Sequence, residues 1–547
     1  MSGHVFTTLW KNLWEQHSKV KHILTFSLPK ESSISAQQQE QKQVEAPQQK
    51  PPIFKKPQLI GFILGPALFT FIMLFLSPEG MSSEAKSVLA STVWIATWWI
   101  TEAIPIPATS LLPIVLFPMT GVLGTGEVTA SYGGTTIYLF LGGFLIALAM
   151  ERWNLHKRIA LTIIAVIGTS TQRIVLGFMV ATGFLSMWIS NTATALMMVP
   201  IGSAIIYQMS SSMSGQKNVI VQEDKNFSKA LMLGIAYAAS IGGLATIIGT
   251  PPNAILAGVI QEIYGVRISF VSWMMFGVPL TIVLLGLTWY FLIKALPFKR
   301  KEIPGGGEII KEQKNALGKA SYEEKAVLTI FLLTASLWIF YPFVPASWEW
   351  IALDDTMIAI LAGVLLFIIP SINQRGTGLL DWQTAKNVPW GILLLFGAGL
   401  AIAAGFSKTG LAEWIGNQLT IVQGVQFIFV ITIVTTLVIF LTEITSNTAT
   451  ATMILPIMAS LALAINIHPY ALMIPAAVAA SCAFMLPVAT PPNAVVFASG
   501  KIRIVDMARI GFWINIIAII IIVCAVYLLL PLVWGIDLQV YPDAFRK

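Results

Sequence analysis

Between Leu59 and Trp534 the chain alternates apolar runs of about 20 residues with short polar connections. Runs of that length match a bilayer core of about 30 Å crossed at about 1.5 Å per residue, whereas a barrel shows shorter segments of alternating polarity. The pattern predicts spans at 59–77, 86–102, 105–119, 134–150, 230–264, 272–296, 324–342, 354–370, 388–404, 470–500 and 508–534, which is eleven crossings. Two further apolar blocks, 171–208 and 425–464, each carry a polar pentapeptide near the middle: Ser190-Asn191-Thr192-Ala193-Thr194 and Ser446-Asn447-Thr448-Ala449-Thr450. A straight span would strand these side chains in hydrocarbon. A re-entrant helical hairpin places an irregular turn at mid-depth, where it is tolerated if it lines a cavity. The expected fold class is therefore an all-α polytopic membrane protein with about eleven transmembrane helices and two re-entrant hairpins.

The pentapeptides belong to a longer repeat. At their offset of 256 (446 − 190), Phe140 matches Phe396, Gly143 matches Gly399, Ser186 matches Thr442 and Pro200 matches Pro456. A second signature follows each hairpin, Gly249-Thr250-Pro251-Pro252-Asn253-Ala254 and Ala489-Thr490-Pro491-Pro492-Asn493-Ala494, at an offset of 240 (493 − 253). The polar insert around Ser210 to Ser228 absorbs the difference. Proline lacks a ladder donor but suits the first turn of a new helix, so each signature reads as a break in a span, with Thr250 or Thr490 as N-cap.

Composition and charge sharpen this picture. The 547 residues are 56% hydrophobic and 11% charged, with mean hydropathy +0.77; a soluble globular protein carries about 25% charged residues. Two cysteines imply no disulfide framework. The net charge of +7 is distributed by loop, without a basic stripe interleaved with aromatics, so nucleic acid is not an expected partner. Lys50, Lys55, Lys56, Arg152, Lys157, Arg158, Arg173, Lys217, Lys225, Lys229, the cluster from Lys299 to Lys325, Arg375, Lys386, Lys501, Arg503 and Arg509 share one side, cytoplasmic by the positive-inside rule. Loops 119–133, 342–353 and 465–469 have no Lys or Arg; Lys86, Arg267, Lys408 and the last two residues, Arg546 and Lys547, dissent. The N-terminus is thus expected inside and the C-terminus outside, with the first hairpin entering from the cytoplasm and the second from outside. Inverted halves with discontinuous helices are the architecture of secondary transporters. The expected organisation is a cytoplasmic polar tail 1–57, whose residues 9–24 read equally as an amphipathic surface helix or as a disordered stretch with chance periodicity, a first half 58–300, a cytoplasmic linker 301–323, a second half 324–535 and an extracellular tail 536–547. The tail shows no signal-peptide pattern.

A hairpin tip offers carbonyl oxygens where one arm ends and amide hydrogens where the next begins, hence a cation site beside an anion site. Ser and Asn oxygens suit a hard cation, and Ser, Thr and Asn donate to carboxylates. Within an isolated membrane helix such residues merely satisfy backbone, a reading that two matched copies weigh against. Glu102 and Glu443 are rare intramembrane carboxylates, open to helix capping or pairing as well as to coupling or gating. The sequon Asn226-Phe227-Ser228 falls on the expected cytoplasmic side, where it is a coincidence. An intramembrane enzyme is disfavoured: His4, His17, His22, His156 and His468 fall in the tail or near interfaces, and no metal-binding signature occurs. A channel is disfavoured because the polar residues gather in two tips rather than along a pore.

The paired Ser-Asn-Thr and Thr-Pro-Pro-Asn motifs, with Thr101-Glu102-Ala103-Ile104-Pro105, closely resemble those of the divalent anion:sodium symporter family, specifically its sodium-coupled C4-dicarboxylate carriers, over about residues 58–535. The resemblance implies a homodimeric cell-membrane transporter working as an elevator and importing succinate, malate or fumarate, with citrate or sulfate as the alternative substrate on the same frame. It implies a first Na+ site from Ser186, Ser190, Asn191 and Gly249, and a second from Thr442, Thr445, Ser446, Asn447 and Ala489. Substrate would be lined by Ser190, Asn191, Thr192, Thr250, Pro251, Ser446, Asn447, Thr448, Thr490 and Pro491. At least two Na+ per substrate and no organic cofactor are expected, because neither signature carries a Lys or Arg to neutralise a dianion.

Overall fold

The computed structural model describes residues 56–168, 170–211, 219–298, 306–344, 353–418 and 425–546. The expected amphipathic helix of the tail lies outside them. The described residues are helical throughout, with one isolated bridge between Pro370 and Gly378. In chain order the first half contains α1 (Lys56–Phe75), α2 (Ser83–Thr101), α3 (Ile106–Thr109), α4 (Leu112–Met119), α5 (Thr125–Ser131), α6 (Thr135–Arg152) and α7 (Leu155–Ile167). It continues with α8 (Thr171–Ser186), α9 (Asn191–Ser211), α10 (Val219–Gly242), α11 (Pro251–Tyr264) and α12 (Phe270–Ala295). After α13 (Gly306–Ala316), the second half contains α14 (Tyr322–Phe340), α15 (Asp355–Ile368), α16 (Trp382–Ala385), α17 (Trp390–Lys408) and α18 (Leu411–Gln418). It ends with α19 (Phe427–Thr442), α20 (Asn447–Ala464), α21 (Tyr470–Ala480), α22 (Pro491–Ala498), α23 (Ile504–Cys524) and α24 (Leu530–Trp534).

Among the described residues eight helices are long and apolar enough to cross a membrane. Seven coincide with expected spans; the eighth is α20, the second arm of the second hairpin. The remaining expected spans differ for local reasons. The 105–119 run is divided into α3 and α4, with Pro105 before the first piece and Pro113 in the opening turn of the second. α15 has 14 residues and α21 has 11, and α2 is diluted by Ser, Thr and Trp. Parts of the expected polar insert are helical, since α9 reaches Ser211 and α10 begins at Val219. Short helices α7 and α18, each placed directly before a hairpin, were hidden in sequence by their length and mixed polarity.

Both interruptions fall where the signatures sit. Helix stops at Ser186 and restarts at Asn191, and stops at Thr442 and restarts at Asn447. Both long spans break at the Thr-Pro-Pro segments, with Pro251 and Pro491 opening new helices as proline's fixed φ favours. In each half the first hairpin arm packs along the first segment of the broken helix, α8 on α10 and α19 on α21. Across halves the second arms exchange partners, α9 packing on α22 and α20 on α11. Close approach of α8 to α10 requires glycine at position 242: a Cβ there would overlap the backbone of Gly183. The faces meeting here are buried completely, as at Val175, Phe178, Ala238 and Ile241.

Candidate functional site at the paired hairpin tips

Ordinary hydroxyls in these helices bond their own backbone one turn back. Thr182 donates to Phe178 O at 2.6 Å, and Thr435 to Ile431 O at 2.7 Å. Ser186 and Thr442, both 0% exposed, behave differently. Ser186 Oγ bonds the Asn191 side chain and donates to Ala239 O of α10 at 2.6 Å. Thr442 Oγ1 bonds Asn447 Oδ1 at 2.8 Å and Ala480 O of α21 at 2.9 Å. The same triangle of tip hydroxyl, tip amide and broken-helix carbonyl is built twice.

In the first half the inward-facing atom of the Asn191 amide lies beside Ser186 Oγ, 3.1 Å from Ala239 O and 3.3 Å from Gly249 O. With nitrogen inward, Asn191 donates to all three. With oxygen inward, four oxygens converge, which is the donor set of a hard cation. Ser186, Asn191 and Gly249 are thus brought together. Ser190 caps α9, its Oγ accepting from Ala193 N at 3.2 Å. The second half is less complete. Thr442 and Asn447 meet, but the Thr445 hydroxyl is engaged within the hairpin by Leu441 O at 2.8 Å and Thr450 Oγ1 at 2.6 Å. Ala489 donates to Leu486 O, and no hydrogen bond joins it to Asn447 among the described residues. Among those residues no three His, Cys, Asp or Glu side chains converge on a metal-sized site.

Ser190, Asn191 and Thr192 are half-buried, and so are Ser446, Asn447 and Thr448, although hydroxyls one turn away are fully enclosed. Thr250 and Thr490 are buried, Pro251 is half-buried and Pro491 exposed. The expected capping is realised once: Thr490 Oγ1 accepts from Asn493 N at 3.3 Å, while Thr250 makes no side-chain cap.

The breaks are held open by the last residue of each motif. Asn253 Nδ2 donates to Thr246 O at 2.8 Å and Gly243 O at 3.2 Å; Asn493 Nδ2 donates to Leu486 O and Ala483 O, both at 3.0 Å. The partners correspond at the 240 offset, so each Asn satisfies carbonyls that the interrupted helix leaves orphaned. Sequence reasoning had singled out the Thr and Pro of these motifs and left this role unassigned, although the Asn was legible as the invariant end of both signatures.

Glu443 resolves toward pairing. Its carboxylate accepts from the backbone N–H groups of Phe484 at 2.7 Å, Met485 at 2.9 Å and Leu486 at 3.1 Å, and from Asn515 Nδ2 at 2.7 Å. It caps the unwound segment of the second break. Asn515, on α23, was not foreseen, because nothing in sequence ties it to a residue 72 positions away. Glu102 ends α2 in the left-handed region (φ 47°) and is exposed. Asn226 of the sequon donates to Pro297 O at 3.0 Å.

A family model described as the sodium:sulfate symporter transmembrane region matches residues 57–536. The chain is 53% identical over 484 residues to the sodium-dependent dicarboxylate transporter SdcS of Staphylococcus saprophyticus, covering 88% of this chain and 93% of that protein. It is 52% identical over 493 residues to SdcS of Staphylococcus aureus RF122, covering 89% and 94%. The solved structure of Neisseria gonorrhoeae MtrF, described as illuminating a class of antimetabolite efflux pumps, superposes with TM-score 0.50 at 12% identity, covering 87% of this chain and 96% of that one. At that identity the likeness concerns the fold alone. With its family model spanning both hairpins and both breaks, the chain belongs to the sodium:sulfate symporter family of membrane transporters.

Proposed function

We propose that the protein imports C4-dicarboxylates such as succinate, malate and fumarate across the cell membrane, coupled to at least two Na+ ions per substrate. The relatives named as sodium-dependent dicarboxylate transporters support the chemistry. The observation that carries it is the doubled triangle at the tips: Ser186, Asn191 and Ala239 O in one half, Thr442, Asn447 and Ala480 O in the other. Each presents oxygens to a cation from within a bundle, while the adjoining Ser190, Thr192, Ser446 and Thr448 and the starts of α9 and α20 present donors to a carboxylate. Na+ is cargo here, held first by Ser186, Ser190, Asn191 and Gly249, and second by Thr442, Ser446 and Asn447 with carbonyls of Thr445 and Ala489. Thr250, Pro251, Thr490 and Pro491 complete the substrate's walls.

Charge supports the coupling. A dicarboxylate brings two negative charges into a site whose signatures contain no Lys or Arg, and a helix end contributes only about half a charge. An uncompensated buried charge costs several kcal/mol, so the bound cations neutralise the substrate. The exchange of hairpin arms between halves makes one body of both tips and both breaks. The short helices α7 and α18 lead into that body, an arrangement suited to elevator-type alternating access in a homodimer. In this reading the N-terminus lies in the cytoplasm and the C-terminus outside, with the halves inverted and their hairpins re-entrant, as the distribution of Lys and Arg among the loops supports. The family's description names sulfate, so sulfate, with citrate beside it, stays the competing cargo.

The test is uptake of labelled succinate into proteoliposomes under an inward Na+ gradient, against choline at equal ionic strength and against excess citrate or sulfate. Accumulation that requires Na+ and resists sulfate is expected. Equal uptake in choline overturns the sodium-coupled reading, and stronger competition by sulfate or citrate overturns the C4-dicarboxylate assignment.

A further inference from the structure

The two broken helices are joined by a bond that the repeat does not explain. Thr250 Oγ1, from the first break, lies 3.2 Å from Ser481 Oγ, from the second, and the two residues are 2% and 1% exposed. Symmetry would have Thr490 make the mirror-image bond. Thr490 instead caps its own helix through Asn493 N, and the position matching Ser481 (481 − 240) is Ile241, which has no hydroxyl. Thr250, by contrast, makes no side-chain cap and directs its hydroxyl across to the opposite half.

The neighbours of this pair give it a role. Thr250 follows Gly249, whose carbonyl oxygen lies 3.3 Å from the Asn191 amide. Ser481 follows Ala480, whose carbonyl accepts from Thr442 at 2.9 Å, and Thr442 in turn bonds Asn447. The hydroxyl pair therefore sits one peptide from a carbonyl of each oxygen cluster. We propose that Ser481 is a positioning residue that couples the two cation clusters through Thr250. This rests on the sodium-coupled reading above. A cation drawing Gly249 O inward fixes the peptide that carries Thr250; the buried bond passes that constraint to Ser481 and so to Ala480 O. The coupling runs equally in both directions, as linkage requires. A neutral hydrogen bond accounts for a coupling of about twofold to tenfold in affinity.

The experiment is succinate binding to the purified full-length protein as a function of Na+ at constant ionic strength. The wild-type curve is expected to be cooperative, with a Hill coefficient above one and reaching about 1.5 for a tenfold coupling of two ions. Ser481→Ala should flatten it toward a slope of one while reaching the same occupancy at saturating Na+, and Ser481→Thr, which keeps the hydroxyl, should restore the steepness. Ser481→Cys, close in size with a weak donor, should also be shallower than wild type and serves if the alanine variant does not fold. A purely structural serine would change stability and maximum occupancy and leave the slope alone. An unchanged slope in Ser481→Ala or Ser481→Cys, a threonine variant as shallow as alanine, or a wild-type slope of one overturns the coupling. Wild-type binding indifferent to Na+ overturns the sodium-coupled reading itself, a distinct result.

Discussion

Phe140 of α6 and Phe396 of α17 pack edge to face, their ring centroids 4.9 Å apart and their planes at 79°. The same two positions correspond at the 256-residue offset of the hairpin tips. A residue related to its repeat mate by a two-fold axis touches that mate only at the axis, so this pair marks where the halves meet. Both rings are buried, at 1% and 3% exposure. Phe140→Ala and Phe396→Ala should each destabilise the protein by about 3–5 kcal/mol, with the double variant falling short of the sum by about 0.5–1.5 kcal/mol. Thermal unfolding of the four species in detergent measures this, and strict additivity would show that the rings do not interact.

Asn191 and Asn447 are expected to be separately necessary. Each completes its own triangle with Ser186 or Thr442, so replacing either by Ala removes the buried amide that closes that triangle. Losing such a group costs about 1–3 kcal/mol, or about 5- to 150-fold in affinity for Na+ and substrate. Succinate binding over a Na+ titration reads both. Asn447→Ala with wild-type Na+ dependence and substrate affinity would sink the two-site arrangement.

Gly242 and Gly286 make a matched pair for substitution. A Cβ at Gly242 overlaps the Gly183 backbone, where nothing flexible can give way, whereas a Cβ at Gly286 on α12 meets nothing within 4 Å. Gly242→Ala should cost about 1–3 kcal/mol or more by forcing α8 from α10, and should impair transport because the hairpin tip moves with α8. Gly286→Ala should be neutral or slightly stabilising through helix propensity. Thermal stability and succinate uptake of the two variants provide the check, and equal behaviour would argue against the close approach of the hairpin to the broken helix.

His468, in the turn between α20 and α21, supplies a pH dependence. Its Nδ1 accepts from Tyr470 N at 3.1 Å, its backbone N–H donates to Leu538 O, and its ring packs on Tyr470 and Phe545. Burial holds its pKa down at about 4, partly opposed by Asp537. The folded value lies below the ordinary value of about 6.5, so the stabilisation is complete above pH of about 6.5 and is lost as pH falls toward 4. Between pH of about 7.5 and 5.5 the wild type should lose on the order of 1 kcal/mol that His468→Gln does not lose. Thermal unfolding at the two pH values decides it. An identical pH response in both proteins would assign the effect elsewhere.

The sequence by itself determined the class of protein, the duplication and the location of both tips and both breaks. These depend on local properties: run length against bilayer thickness, proline's missing donor, and a polar pentapeptide repeated inside apolar blocks. The contacts of Ser186 with Asn191 and of Thr442 with Asn447, grouped beforehand only by the family resemblance, are local as well, because residues five apart across a tight tip have little freedom to separate. Tertiary structure decided what depends on distant segments meeting. The exchange of α9 and α20 between halves, the Thr250–Ser481 bond, 231 positions apart, and the capture of the 484–486 backbone by Glu443 and Asn515 join residues far apart in the chain. No periodicity records such pairings. Helices α7, α13 and α18 were missed for a complementary reason: short and amphipathic, they gain their stability from the surfaces they lie on rather than from their own length. The departures from symmetry were visible as single letters, Ile241 against Ser481 and Met187 against Glu443, but only packing shows which of those letters redirects a hydrogen bond.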